Sequence, residues 1–185
     1  MARSNRGDAG DPTRWATPAV QIRNERAEAI YCFAAQIDGF DGLRVGEIAP
    51  RSSPGHEVSL WLVLYIYPKD DTPGCTIQGK SFTTTKADFT ALDAVVVGLS
   101  EDDVGSHKVF CDKFAFKIDL LADPRHTLLS ALGIGQSEYK GVKYWDRTTF
   151  VVAPDSVVRK VYEKVQPQGH EAALLADLKQ LKAKH

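Results

Sequence analysis

Apolar residues follow two rhythms along this chain. Unbroken runs at 60–67 and 94–99 predict strands covered on both faces, since a strand between helix layers has no polar side to present. Shorter apolar stretches at 118–121, 148–153 and 157–162 predict three more strands. Pro154-Asp155-Ser156 between the last two is a hairpin signal. Apolar residues spaced by three or four predict helices. These lie over 76–92 (Phe82 and Phe89), from Ser100 as N-cap to about Phe114 (Val104, His107, Cys111 and Phe114 on one face), over 124–132, and over 171–182 (Leu174, Leu175, Leu178 and Leu181 inward). Residues 136–144 are polar and read as a loop. Residues 20–37 read as an amphipathic helix containing Cys32, and 1–18, rich in Gly, Pro, Asp and Arg, as disordered. The resulting order, β-α-β-α-β-α-β-β-α, predicts an α/β fold around a mixed sheet.

Composition narrows the function classes. A chain of 185 residues suits one domain, and 43% hydrophobic with 25% charged residues is the balance of a soluble globular protein. A net charge of −1 gives no reason to expect nucleic acid or an anionic membrane as partner, and no apolar run is long enough to span a bilayer. Three cysteines without close pairing, and no apolar leader at the N-terminus, point to working thiols in the cytoplasm. The five histidines lack ligand spacing, so no metal is expected.

The chemistry concentrates between the first central strand and the helix after it, in Tyr67-Pro68-Lys69-Asp70-Asp71-Thr72-Pro73-Gly74-Cys75-Thr76. The carboxyl edge of an open α/β sheet is where ligands bind. A cysteine in the first helical turn faces unpaired N–H groups and the positive end of the dipole, which favour the nucleophilic thiolate. Thr72, three residues earlier, can turn its hydroxyl back to the sulfur. Arg147, just before a predicted strand, can supply a permanent positive charge with paired donors. Each residue also has a plainer reading: Cys75 as a small core residue, Thr72 as a helix cap, Arg147 as a surface charge.

The string Pro68-x-x-x-Thr72-x-x-Cys75 resembles the active-site signature of the peroxiredoxins, and all ten residues are similar to the peroxiredoxin Q group, also called bacterioferritin comigratory protein. Leu43 to Pro50 is similar to the opening of that domain, and Arg147-Thr148-Thr149-Phe150 looks like its Arg-x-Thr-Phe motif. The resemblance implies a thioredoxin-like fold over 39–185, after an N-terminal extension of 1–38. It implies Cys75 as the peroxidatic cysteine, assisted by Thr72 and Arg147, with Pro68 and Gly74 at the substrate. One branch of the group places its resolving cysteine five residues on, where this chain has Lys80. The other places it in the following helix, where Cys111 lies, implying a Cys75–Cys111 disulfide recycled by thioredoxin or a similar dithiol. The implied substrates are hydrogen peroxide and organic hydroperoxides, with no metal, haem or flavin. A monomer is implied, with the N-terminal helix as a means of pairing subunits. Two departures stand out: a short Arg51 to Glu57 link, and Gln78 where the family commonly has Glu. Remaining alternatives are a one-cysteine peroxidase using an external thiol, a general thiol–disulfide oxidoreductase (weakened by the lack of Cys-x-x-Cys), and a non-catalytic redox sensor or binding module.

Overall fold

The computed structural model describes residues 34–36, 60–155 and 157–184. Eight strands and five helices follow in order: β1 (Ala34–Gln36), β2 (Trp61–Ile66), α1 (Pro73–Thr84), α2 (Lys86–Thr90), β3 (Ala94–Ser100), α3 (Val104–Phe114), β4 (Asp119–Ala122), α4 (Thr127–Ala131), β5 (Gln136–Tyr139), β6 (Val142–Trp145), β7 (Thr148–Val152), β8 (Val158–Tyr162) and α5 (His170–Lys184). Six strands form one mixed sheet in the order β1-β4-β3-β2-β7-β8. The first four run parallel, whereas β7 and β8 are antiparallel to their neighbours.

The unbroken apolar runs lie at the centre, as their sequence predicts. Alternate residues of β2 serve opposite faces. Leu62, Leu64 and Ile66 pack with Leu128 and Leu129 of α4, while Val63 and Tyr65 pack with Phe82 of α1, Phe110 of α3 and Leu174 of α5. Each such side chain contributes about 1.5–3 kcal/mol when buried. A one-residue slip would exchange the two layers, so the sheet register is held from both sides. The C-terminal helix also forms as predicted, with Leu174 and Leu178 buried and Leu175 and Leu181 packed beside them.

Several expectations are corrected. The single helix over 76–92 starts earlier, with Pro73 in its first turn where a missing N–H costs nothing, and it divides at Thr85. There the hydroxyls of Thr84 and Thr85 bond back to Lys80 O and Ser81 O, competing with the helical ladder. The N-cap of α3 is Asp103, whose Oδ1 accepts from Ser106 N, because Ser100 still belongs to β3. Residues 136–144 form the separate β5–β6 hairpin rather than a loop. Lys140 and Gly141 both take positive φ, as a primed two-residue turn requires. Tyr139 and Val142 stay exposed, so no burial pattern announces these strands. The helix expected over 20–37 is contradicted at Ala34–Gln36, which pairs in parallel with β4. A short apolar stretch fits either periodicity, and the open edge of β4 decides it. These three residues therefore belong to the sheet and not to a separate extension. The rest of that helix, Cys32 and the 51–57 link lie outside the described residues.

Candidate active site

Three elements meet at the carboxyl end of β2. The chain leaves β2 at Ile66, passes through a tight loop and enters α1 at Pro73. Cys75 sits in the first turn of α1 and is 2% exposed. On the other side, β7 pairs antiparallel with β2, with Ile66 opposite Thr148. That register sets Arg147, the residue before β7, beside the loop. Its carbonyl accepts from Val165 N at 2.9 Å, which fixes its backbone from the far side.

The structure brings Thr72, Cys75, Arg147 and Gln78 together. Thr72 Oγ1 lies 2.8 Å from Cys75 Sγ and 3.0 Å from Lys69 O. One hydroxyl carries one hydrogen, so it donates either to the sulfur anion or to the carbonyl, and it keeps lone pairs to accept a proton. Thr72 is the N-cap residue of α1, but its side chain makes no capping bond; the hydroxyl serves the sulfur instead. Arg147 forks. Nη2 donates to Cys75 Sγ at 3.1 Å, and Nη1 donates to Gln78 Oε1 at 2.9 Å. The Gln78 amide oxygen thus takes the acceptor part of a carboxylate, while its buried Nε2 has no hydrogen-bond partner among the described residues.

Gly74 makes room for this fork. A Cβ there would stand 2.8 Å from Arg147 Nη2 and 3.5 Å from Pro167 Cγ. Pro68 is partly exposed at the start of the same loop. Beneath the sulfur lie Tyr65 and Tyr67, whose hydroxyls burial pushes well above the ordinary tyrosine range; for Tyr65 the negative charge of Cys75 adds to the effect. Both remain protonated.

Cys111 lies on the buried face of α3 with His107 and Phe110, in the same core layer as Cys75. Cys75 is a free thiol. Cys111 is disulfide-bonded. Sequence reasoning also missed a buried cluster around Asp70, which lies in the loop and reaches His107 on α3. A histidine on an otherwise apolar helical face was the only available signal. Among the described residues, no cluster of three or more His, Cys, Asp or Glu could hold a metal ion, and no helix is long and apolar enough to cross a membrane.

Comparison with known proteins identifies the family. The model of the AhpC/TSA family matches residues 55–161. The chain is 38% identical over 132 residues to peroxiredoxin Bcp of Xanthomonas campestris, covering 70% of this chain and 80% of that protein. It is 34% identical over 151 residues to the chloroplastic peroxiredoxin Q of Arabidopsis thaliana, covering 76% of this chain and 69% of that protein. A solved structure of the Xanthomonas campestris bacterioferritin comigratory protein, determined as a trapped intermediate and ligand complex to explain its alkyl peroxide reduction activity, superposes with a TM-score of 0.63 at 37% identity. That match covers 66% of this chain and 79% of the other. The mixed sheet with flanking helices is therefore the thioredoxin-like fold of these enzymes. The chain belongs to the AhpC/TSA family and, within it, to the peroxiredoxin Q (Bcp) group of thiol-dependent peroxidases.

Proposed function

We propose that Cys75 is the peroxidatic cysteine of a peroxidase acting on hydrogen peroxide and organic hydroperoxides. The observation that carries this reading is the pair of donors, Thr72 Oγ1 and Arg147 Nη2, converging on Cys75 Sγ. The sulfur anion attacks one peroxide oxygen and the O–O bond breaks. The other oxygen departs with the bonding pair and takes a proton to become water or alcohol, leaving a sulfenic acid on Cys75. The guanidinium and the first-turn N–H groups of α1 offset the negative charge moving from sulfur to the leaving oxygen. Thr72 accepts the peroxide proton and returns a donor to the sulfur. Gly74 and Pro68 shape the approach, and Gln78 steadies Arg147.

Cys111 is the resolving cysteine in this reading. Once its present disulfide is reduced, its thiolate attacks Cys75 sulfur. The S–S bond forms, the S–O bond breaks, and hydroxide leaves to be protonated to water. Both residues are buried, Cys111 being 3% exposed, so α1 and α3 must open locally for the sulfurs to meet. Thioredoxin or a similar dithiol returns the disulfide to thiols, and the protein works as a cytoplasmic monomer. A second reading, a one-cysteine cycle completed by an external thiol, is favoured by one observation: Cys111 is packed in the core, away from solvent.

Intact mass and peptide mapping test both readings. After full reduction, removal of reductant and one equivalent of hydrogen peroxide, the two-cysteine cycle gives a loss of two hydrogens mapped to Cys75–Cys111. Cys111→Ser gives one added oxygen on Cys75. Wild type halting at that added oxygen favours the one-cysteine cycle, and an unreactive Cys75 refutes both.

A further inference from the structure

Between the Cys75 loop and the helix that carries Cys111 lies a buried polar cluster that the peroxide chemistry does not use. Asp70 is only 7% exposed. Its Oδ1 accepts from Tyr67 OH at 2.8 Å, and its Oδ2 accepts from Ser106 Oγ at 2.7 Å. The same Oδ2 lies 2.8 Å from His107 Nδ1. His107 is wholly buried, and its other ring nitrogen, Nε2, stands 3.0 Å from Leu121 O. A carbonyl can only accept, so Nε2 carries a hydrogen. A hydrogen lies between Nδ1 and the carboxylate, so the contact is a hydrogen bond to a carboxylate inside the protein. The Asp70 N–H donates to Asp102 Oδ2 at 2.8 Å, and that oxygen also accepts from Ser100 Oγ. The next loop residue, Asp71, takes a positive φ and pairs with Lys113 at 2.5 Å. Consecutive loop residues are thus tied to α3 at His107 and Lys113, one on each side of Cys111. The outer tie is half exposed and weak; the inner one is dry.

We propose that the Asp70–His107 pair is a latch holding the Cys111 helix against the Cys75 loop, so that His107 governs how fast Cys111 is released to close on the Cys75 sulfenic acid. The proposal rests on the reading of Cys111 as the resolving cysteine. His107 touches neither sulfur and acts as a positioning residue. When α3 unwinds around Cys111, the bonds of His107 to Asp70 and Leu121 must part. In the interval before Cys111 arrives, a second peroxide can oxidise the sulfenic acid to sulfinic acid, the peroxide itself being reduced to water. A firm latch therefore lengthens the life of the sulfenic acid, and a weakened one shortens it.

Two substitutions separate the latch from mere packing. His107→Asn keeps a donor where Nδ1 stands and faces Asp70. His107→Gln keeps a donor where Nε2 stands and faces Leu121 O, but loses the Asp70 bond. Fully reduced wild type and variants are mixed with hydrogen peroxide, quenched at intervals and mapped by mass. In His107→Gln, sulfenic acid forms within about twofold of the wild-type rate. The Cys75–Cys111 disulfide then closes about tenfold faster, the effect of one charge-assisted bond, and the sulfinic fraction at high peroxide falls. His107→Asn, which keeps the Asp70 bond and gives up the one to Leu121 O, speeds closure less than His107→Gln does. Asp70→Asn, which keeps the shape and removes the charge, repeats the acceleration and serves should His107→Gln fold poorly. A disulfide that closes at the wild-type rate or slower in His107→Gln and Asp70→Asn overturns the latch and leaves the resolving role of Cys111 standing. A wild type that never forms Cys75–Cys111 overturns both.

Discussion

Gly74→Ala separates activity from stability. Gly74 is helical, and alanine there is favoured intrinsically by up to about 1 kcal/mol. The obstacle is the new Cβ, 2.8 Å from Arg147 Nη2. An ordinary contact needs about 3.5 Å, so the guanidinium must recede by about 0.7 Å. It can do so cheaply, since it is the far end of a flexible side chain. The retreat stretches the Nη2–Sγ contact from its present 3.1 Å and turns it off axis, where little hydrogen-bond energy remains. A bond to a charged group is worth about 1.5–3 kcal/mol, which corresponds to a fall of about 10- to 100-fold in the rate of Cys75 with peroxide. Stopped-flow measurement of that rate, beside a thermal melt, makes the test: the rate falls while the melting temperature holds or rises. An unchanged rate would falsify the role given to Arg147. A joint fall of rate and melting temperature would show that Gly74 is needed for folding instead.

Other expectations follow from the same geometry. Thr72→Val removes the hydroxyl beside the sulfur at nearly constant volume and lowers the peroxide rate by about 10- to 100-fold, whereas Thr72→Ser restores most of it; a loss in Thr72→Ser with none in Thr72→Val would mean that the methyl group matters and the hydroxyl does not. His170, bonded to Thr149 Oγ1, is lowered by burial from 6.5 to about 4. Its folded form binds fewer protons than the unfolded chain, so its contribution is complete above pH 6.5 and declines as pH falls towards about 4. Denaturant melts across that window show the loss, and His170→Gln flattens it. Asp123 accepts from the backbone N–H groups of Thr127, Leu128 and Leu129 at the start of α4. Asp123→Ala leaves these donors bare and costs about 2 kcal/mol or more in chemical denaturation; a loss under about 0.5 kcal/mol would show that other groups satisfy them.

The parts of this protein legible in its sequence are those where local pattern and tertiary environment agree. The runs 60–67 and 94–99 are continuous apolar stretches of strand length, and the leucine spacing in 171–182 is that of a one-sided helix. Thr72 and Cys75 meet across a single turn, so their spacing already held their contact. Arg147 is different. Pairing of β7 with β2 brings it to the sulfur; its charge and its place before a strand made it a candidate, and the family resemblance singled it out. Asp70 and His107 share the same obscurity, since polar residues in a core become intelligible only when both partners are seen. The β5–β6 hairpin escaped because both its faces are largely exposed, and β1 because three residues carry no period of their own.

The sheet order also has a consequence in time. Thr72 and Cys75 are made together and can meet as soon as α1 forms. Arg147 arrives much later in the chain, and it reaches the sulfur only after β7 docks along β2. Closing a loop of that length carries a chain-entropy cost that local contacts do not share. While the polypeptide is still emerging from the ribosome, Cys75 therefore lacks its guanidinium partner. With Cys75 as the proposed nucleophile, full reactivity towards peroxide then belongs to the completed sheet alone, and an unfinished chain is spared oxidation there.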